Sequence, residues 1–218
     1  MVAHETLVAQ DGYEVMLFPL PYLNMSQDEG GNYSHLYTYS IDLLGWNANG
    51  RVYQCPYYAP CSCKCVSVGS AAGGNSRVFQ SLDKVHYPDG TLDYVTFNTV
   101  HDNNPVASLN QVFNQGDLIG HTGTAGNATG DHLHLNTARG TYQGFYDVGT
   151  GHYQLINATH VYDTCYVNNT TIIQGYGHNW RVYQGGVVPP SPTPIPIWKK
   201  HKFKWVLYSR NFRERNIV

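Results

Sequence analysis

The stretch Gly120–Gly140, G-H-T-G-T-A-G-N-A-T-G-D-H-L-H-L-N-T-A-R-G, decides how the chain is read. A glycine-rich loop runs into a short alternating segment that carries His132 and His134. On a β-strand, side chains two residues apart point to the same face, so His-x-His presents two imidazoles side by side. A helix achieves this only at a spacing of four. Imidazole is both the commonest metal ligand and the commonest general base near neutral pH. Standing alone, such a pair reads equally as two polar residues on an exposed strand face, and the rest of the chain has to decide.

The surrounding composition favours β-structure. Charged residues make up only 13% of the 218 positions, aromatics another 13%, and there are 18 Tyr and 22 Gly. Few residues favour helix, and many are β-branched, aromatic or turn-forming. The length suits one sizeable all-β domain with appendages, and neither a helical bundle nor a disordered chain fits. Eleven histidines exceed structural need and direct attention to a metal site. The net charge of −2 hides an asymmetry: Trp198–Val218 holds seven Lys/Arg against Glu214, while the body before it is acidic. A basic tail on an acidic body is expected to meet an anionic surface or an acidic partner. The opening M-V-A-H-E-T-L-V-A-Q lacks the basic and apolar regions of an export signal, and no stretch is apolar enough to span a membrane.

Outward from the central stretch, Val112–Leu118 leads into Ile119–Gly120, and Leu92–His101 and Arg77–Leu82 read as strands joined through a turn at Tyr87–Gly90 (Y-P-D-G). Tyr57–Val68 and Tyr39–Leu44 read as further strands and Leu17–Leu23 as a lead-in strand, with 24–34 and 69–76 as loop and turn. Residues 142–166 look like more β or loop. Val187–Ile197, V-V-P-P-S-P-T-P-I-P-I, is an extended proline-rich linker. The expected organisation is a domain over 1–186, the linker at 187–197 and a basic aromatic tail at 198–218. Of the five cysteines, Cys61, Cys63 and Cys65 share one strand face, which is not the Cys-x-x-Cys of structural zinc sites. They read as small buried hydrophobes, with a disulfide from Cys55 or this trio to Cys165 as the alternative.

His35 and Asp42 complete a site with His134. Asp42 lies in an apolar run, S-I-D-L-L, where a carboxylate is expensive unless it is paired or bound to metal. Two His and one carboxylate with an open fourth position form the ligand set of a catalytic zinc, and His132 is left free to act as a base. His101, at the end of D-Y-V-T-F-N-T-V-H, reads by itself as a surface histidine. The glycines Gly123, Gly126 and Gly130 make a loop able to pass close to a substrate backbone. A phosphate loop is excluded, because no Gly-Lys-Ser/Thr follows. His4, His86, His121, His152, His160, His178 and His201 are left as structural or surface residues, His121 lying near enough to line the site.

Several blocks now fall into order: Ser34-His35 followed after six residues by Asp42 in I-D-L-L-G; A-P-C-S-C-K-C-V at 59–66; the strand ending in His101; G-D-L-I-G at 116–120; and G-T-A-G-N-A-T-G-D-H-L-H-L at 123–135. Together they resemble the lysostaphin-type zinc metalloendopeptidases, which cleave peptide bonds in bacterial peptidoglycan, and among these the lysin domains of bacteriophage particles. The resemblance spans about 34–140. It implies a mainly β fold with an antiparallel sheet groove, zinc held by His35, Asp42 and His134, and His132 and His101 as the catalytic pair. It also implies a cell-wall peptide as substrate and a place in a phage tail or at the wall. The departures are the six-residue gap from His35 to Asp42, T-V-H-D around His101, and Leu135 where the family usually has Phe. The basic tail is expected to adhere to anionic wall polymers or dock onto other virion proteins; no recognised module makes nucleic acid its partner. The rival expectation is a structural tail component that keeps the fold with little catalysis.

Overall fold

The computed structural model describes residues 1–9, 11–69, 74–149 and 151–184. The linker at 187–197 and the tail at 198–218 lie outside the described residues. Nine strands form the main sheet: β1 (Tyr22–Gln27), β2 (Ile41–Leu43), β3 (Cys63–Val68), β4 (Arg77–Ser81), β5 (Val95–Val100), β6 (Val112–Phe113), β7 (Leu133–Arg139), β8 (Ala158–Thr159) and β9 (Thr171–Gln174). Their order is β6-β3-β4-β5-β7-β2-β1-β9, with β8 sharing the β2 side of β7. All pairs are antiparallel except β1 with β9. The expected mainly β, antiparallel architecture is what the chain adopts.

The His-x-His segment enters the middle of this sheet, and register does the rest. On β7, His134 faces Asp42 of β2 on one side and Val100 of β5 on the other. Alternation then sorts the two faces. Leu133 and Leu135, with Ile41 and Leu43 beside them, are fully buried in the core, while His134 and Asp42 point to the opposite side. Each such buried aliphatic chain contributes about 2 kcal/mol, and a register slip of one residue would exchange the faces. That coupling makes the hydrophobic pattern of β2 and β7 a device for placing the polar site. Phe79 and Phe97 stack at 5.0 Å across β4 and β5, and Phe113 meets Phe79 edge-on at 6.0 Å.

Several expectations need correction. The first strand is Tyr22–Gln27, not Leu17–Leu23, so part of the expected loop at 24–34 is sheet. Pro19 and Pro21 remove two backbone donors from the earlier segment, and a run without its N–H groups is a poor ladder partner. Tyr57–Val68 is broken into Pro56–Tyr58 and β3, because Pro60 lies between them and the first piece pairs with Leu118–His121 instead. All five cysteines are buried and free, so the disulfide alternative falls and the reading as small hydrophobes stands. Burial pushes the Cys61 and Cys63 thiols well above the usual thiol range, which leaves them unreactive. Among the described residues, no helix is long and apolar enough to cross a membrane.

Candidate functional site

Five side chains predicted from sequence come together on the polar face of the sheet. His35 Nε2 lies 3.1 Å from Asp42 Oδ1 and 3.2 Å from His134 Nδ1, and His134 Nδ1 lies 3.1 Å from the same carboxylate oxygen. These separations are close to the roughly 3.3 Å edge of a tetrahedron whose N and O ligands sit about 2.0–2.1 Å from a zinc ion. His132 Nε2 is 3.5 Å from Asp42 Oδ1. The His101 ring stands 4.5 Å from that of His132 and 6.0 Å from that of His134.

Backbone carbonyls set the tautomers, because a carbonyl oxygen only accepts. His35 Nδ1 donates to Asp28 O at 3.0 Å, His132 Nδ1 to Gly130 O at 2.8 Å and His101 Nδ1 to Ala125 O at 2.7 Å. Each of these rings therefore keeps a lone pair on Nε2. The lone pair of His35 meets a carboxylate oxygen at 3.1 Å and the ring nitrogen of His134 at 3.2 Å. A proton on His134 Nδ1 can satisfy one of these contacts and not all three. Three acceptors converging in this way fit a cation, and His35, Asp42 and His134 form a group able to hold one.

The electrostatics agree. Burial opposes ionisation of Asp42, but the close approach of the His134 and His35 rings outweighs it and holds the carboxyl far below the usual carboxylate range. Burial lowers the pKa of His134, against the pull of Asp42. Burial, with His132 and His134 adding to it, lowers that of His101 to about 4, against the hydrogen bond to Ala125. Near neutral pH the carboxylate is charged and these two imidazoles are neutral, the states in which such groups act as ligands or bases.

The glycine loop lines the cleft through residues 127–130 and also braces the site. Gly123 pairs with His132 through two 3.0 Å backbone hydrogen bonds, and Ala125 N donates to His101 O at 3.0 Å. A Cβ on Gly123 would lie 2.2 Å from His101 O, so glycine is required for this approach. The loop approaches protein backbone and ties His101 to His132. His101 takes φ 82°, a left-handed conformation unusual for a non-glycine residue and of the kind stored at functional sites. Sequence reading missed Asp131, which is buried and accepts from Thr122 Oγ1 at 2.6 Å and Gln54 N at 3.0 Å. It anchors the entry to β7. Its signal was its position directly before His132.

A cleft of about 720 Å³ opens over these residues. Its walls include Tyr33, Arg51, Asn98, Tyr142, Phe145 and Tyr153, so an extended chain would meet aromatic and polar side chains on its way past the site.

The antiparallel sheet thus carries a largely buried His-Asp-His group able to hold a metal ion, with two further imidazoles beside it. No family model matches the chain. The chain is 37% identical over 174 residues to a protein named Morphogenesis protein 1 of Bacillus phage B103, covering 78% of this chain and 45% of that protein. It thus spans less than half the length of that relative. Similar solved structures are lysostaphin-type zinc peptidases. A zinc-containing peptidase of Vibrio cholerae aligns at TM-score 0.44 and 18% identity, over 62% of this chain and 43% of that one. The catalytic domain of the prophage-encoded EnpA protein of Enterococcus faecalis aligns at TM-score 0.42 and 18% identity, over 66% and 93%. The catalytic domain of lysostaphin from Staphylococcus simulans aligns at TM-score 0.36 and 19% identity, over 58% and 80%.

Proposed function

We propose that the chain is a zinc-dependent endopeptidase that hydrolyses peptide bonds in bacterial peptidoglycan, carried by a phage particle or released to the cell wall. The convergence of His35 Nε2, Asp42 Oδ1 and His134 Nδ1 within 3.2 Å of one another carries this reading. These residues would hold the ion, one carboxylate and two neutral imidazoles leaving a net positive centre with room for a fourth ligand. The ion when bound supplies a Lewis acid and a water acidified to about pKa 7. His132, its Nε2 lone pair free and its ring fixed by Gly130 O, takes the proton from the attacking water. His101, fixed by Ala125 O with its ring 4.5 Å from that of His132, also presents an Nε2 lone pair: it exchanges roles with His132 as the base, and whichever ring has taken the proton donates it from Nε2 to the developing oxyanion. The open cleft accepts an extended peptide rather than a compact substrate. The basic residues at 198–218 would hold the enzyme to anionic wall polymers or to other virion proteins.

A second reading follows from the name of the B103 relative: a component of particle assembly that keeps the fold and turns over little. Digestion of muropeptides of defined structure separates the two. The enzymatic reading requires cleavage that a chelator stops, zinc restores and His134→Ala abolishes. Intact muropeptides with zinc-loaded protein would overturn it.

A further inference from the structure

Outside the site, among the described residues, Asp28, Glu29, His160, Tyr162 and His178 form a dense set of titratable side chains. His178 Nε2 donates to both oxygens of Asp28, at 2.8 and 2.9 Å, and His160 Nδ1 to Glu29 Oε2 at 2.6 Å. The Tyr162 ring is sandwiched between the two histidines, 4.2 Å from His178 and 4.8 Å from His160, both nearly parallel. Tyr39 closes the far side edge-on to His160 at 4.6 Å, and Trp180 stands edge-on to Tyr162 at 6.1 Å. Two adjacent carboxylates are thus each clamped by a histidine more than a hundred residues away in sequence.

The backbone between the clamps matters. Asp28 O is the acceptor that fixes the His35 ring, and Glu29 N donates to Asp28 Oδ1 at 2.8 Å, so the side-chain clamp and the carbonyl orientation are mechanically one unit. The segment is a turn outside the sheet; a long 3.3 Å bond from Gly31 N also reaches Asp28 O, and Gly30, at φ 67°, donates from its N to Thr38 O at 3.1 Å, so the side-chain clamp adds to a lightly held backbone. A ligand ring aimed by a carbonyl is only as well aimed as that carbonyl, and loss of such outer partners lowers metal affinity about ten- to a hundredfold. Asp28, Glu29 and His178 also lie close enough together to suggest a second ion, but their polar atoms are already matched in ion pairs.

We infer that the His160–Tyr162–His178 stack, clamping Asp28 and Glu29, is a positioning device for His35, through which residues 160–178 set the affinity and geometry of the metal centre. The inference rests on the metal-binding role proposed for His35, Asp42 and His134.

The test measures zinc affinity by chelator competition and the visible spectrum of the Co²⁺-loaded full chain, for wild type, His178→Ala, His178→Gln, His160→Ala and His134→Ala. The alanine variants at 160 and 178 should bind zinc about ten- to a hundredfold more weakly and shift the cobalt bands. His178→Gln keeps an N–H toward Asp28 and should recover most of both; if His178→Ala does not fold, His160→Ala and His178→Gln carry the comparison. Wild-type affinity and spectrum in the folded alanine variants would overturn the clamp, as would a second zinc equivalent that disappears with His178. His134→Ala separates the two claims: if it binds zinc as wild type does, the metal assignment itself fails, whereas if it alone loses zinc, only the clamp fails.

Discussion

Asp42 concentrates the chemistry of the chain at a single residue. Its Oδ1 is the common point of three imidazole contacts, at 3.1 Å to His35, 3.1 Å to His134 and 3.5 Å to His132. Asp42→Asn removes the charge that draws a cation in and should cut zinc affinity at least tenfold, read by chelator competition. His132→Ala and His101→Ala take away no ligand; metal content should stay near one equivalent while kcat falls about 10²- to 10⁴-fold. The His101 shift gives a pH prediction for the chelated protein. Its folded pKa of about 4 lies below the ordinary 6.5, so the unfolded chain binds more protons in that interval. Stability is fully present above about 6.5 and declines as pH falls toward about 4, and His101→Ala should flatten this part of a denaturation profile. At this scale the sequence was informative: His-x-His, and a carboxylate stranded in S-I-D-L-L, named the group that the structure assembles. His101 was legible only through the resemblance, because nothing local distinguishes it from a surface histidine before the Gly123 loop is seen against it.

Among the elements, β2, β5 and β7 form the platform, and the Gly123–Gly130 loop is the staple that joins the two histidines proposed as catalytic. Gly123→Ala puts a methyl group 2.2 Å from His101 O, which forces the loop or the His101 turn to move. The expected outcome is a drop in kcat of at least tenfold with zinc binding retained, since none of the three proposed ligands lies on that loop. The alternation of Leu133, His134 and Leu135 made β7 readable, because burial on one face fixes register. The entry of β1 was not readable. Leu17–Leu23 has the more apolar composition, yet Pro19 and Pro21 deny it ladder hydrogen bonds, and the less apolar Tyr22–Gln27 takes the place beside β2. The histidines at 160 and 178 were passed over for a related reason: what they touch, Glu29 and Asp28, is set by tertiary approach and leaves no spacing to recognise.

At the scale of the molecule, the β-rich body carries the proposed metal site, and the clamp proposed for its ligand His35 comes from residues 160–178. On that proposal, residues well past Gly140 act on the site, although the recognisable motifs stop there. Binding that favours the folded state adds stability by mass action, about 2.7 kcal/mol at a hundredfold excess over Kd. Zinc should therefore raise the thermal midpoint of the apo chain by about 5–10 °C, and His134→Ala should remove that increment. The most direct test of the central claim is the ligand environment of zinc in the purified chain, by X-ray absorption at the zinc edge with metal quantitation. One zinc per chain, bound by two imidazole nitrogens and a carboxylate and lost in both His134→Ala and Asp42→Asn, is the predicted result. A chain that takes up no zinc, or keeps its full complement in those variants, would contradict it.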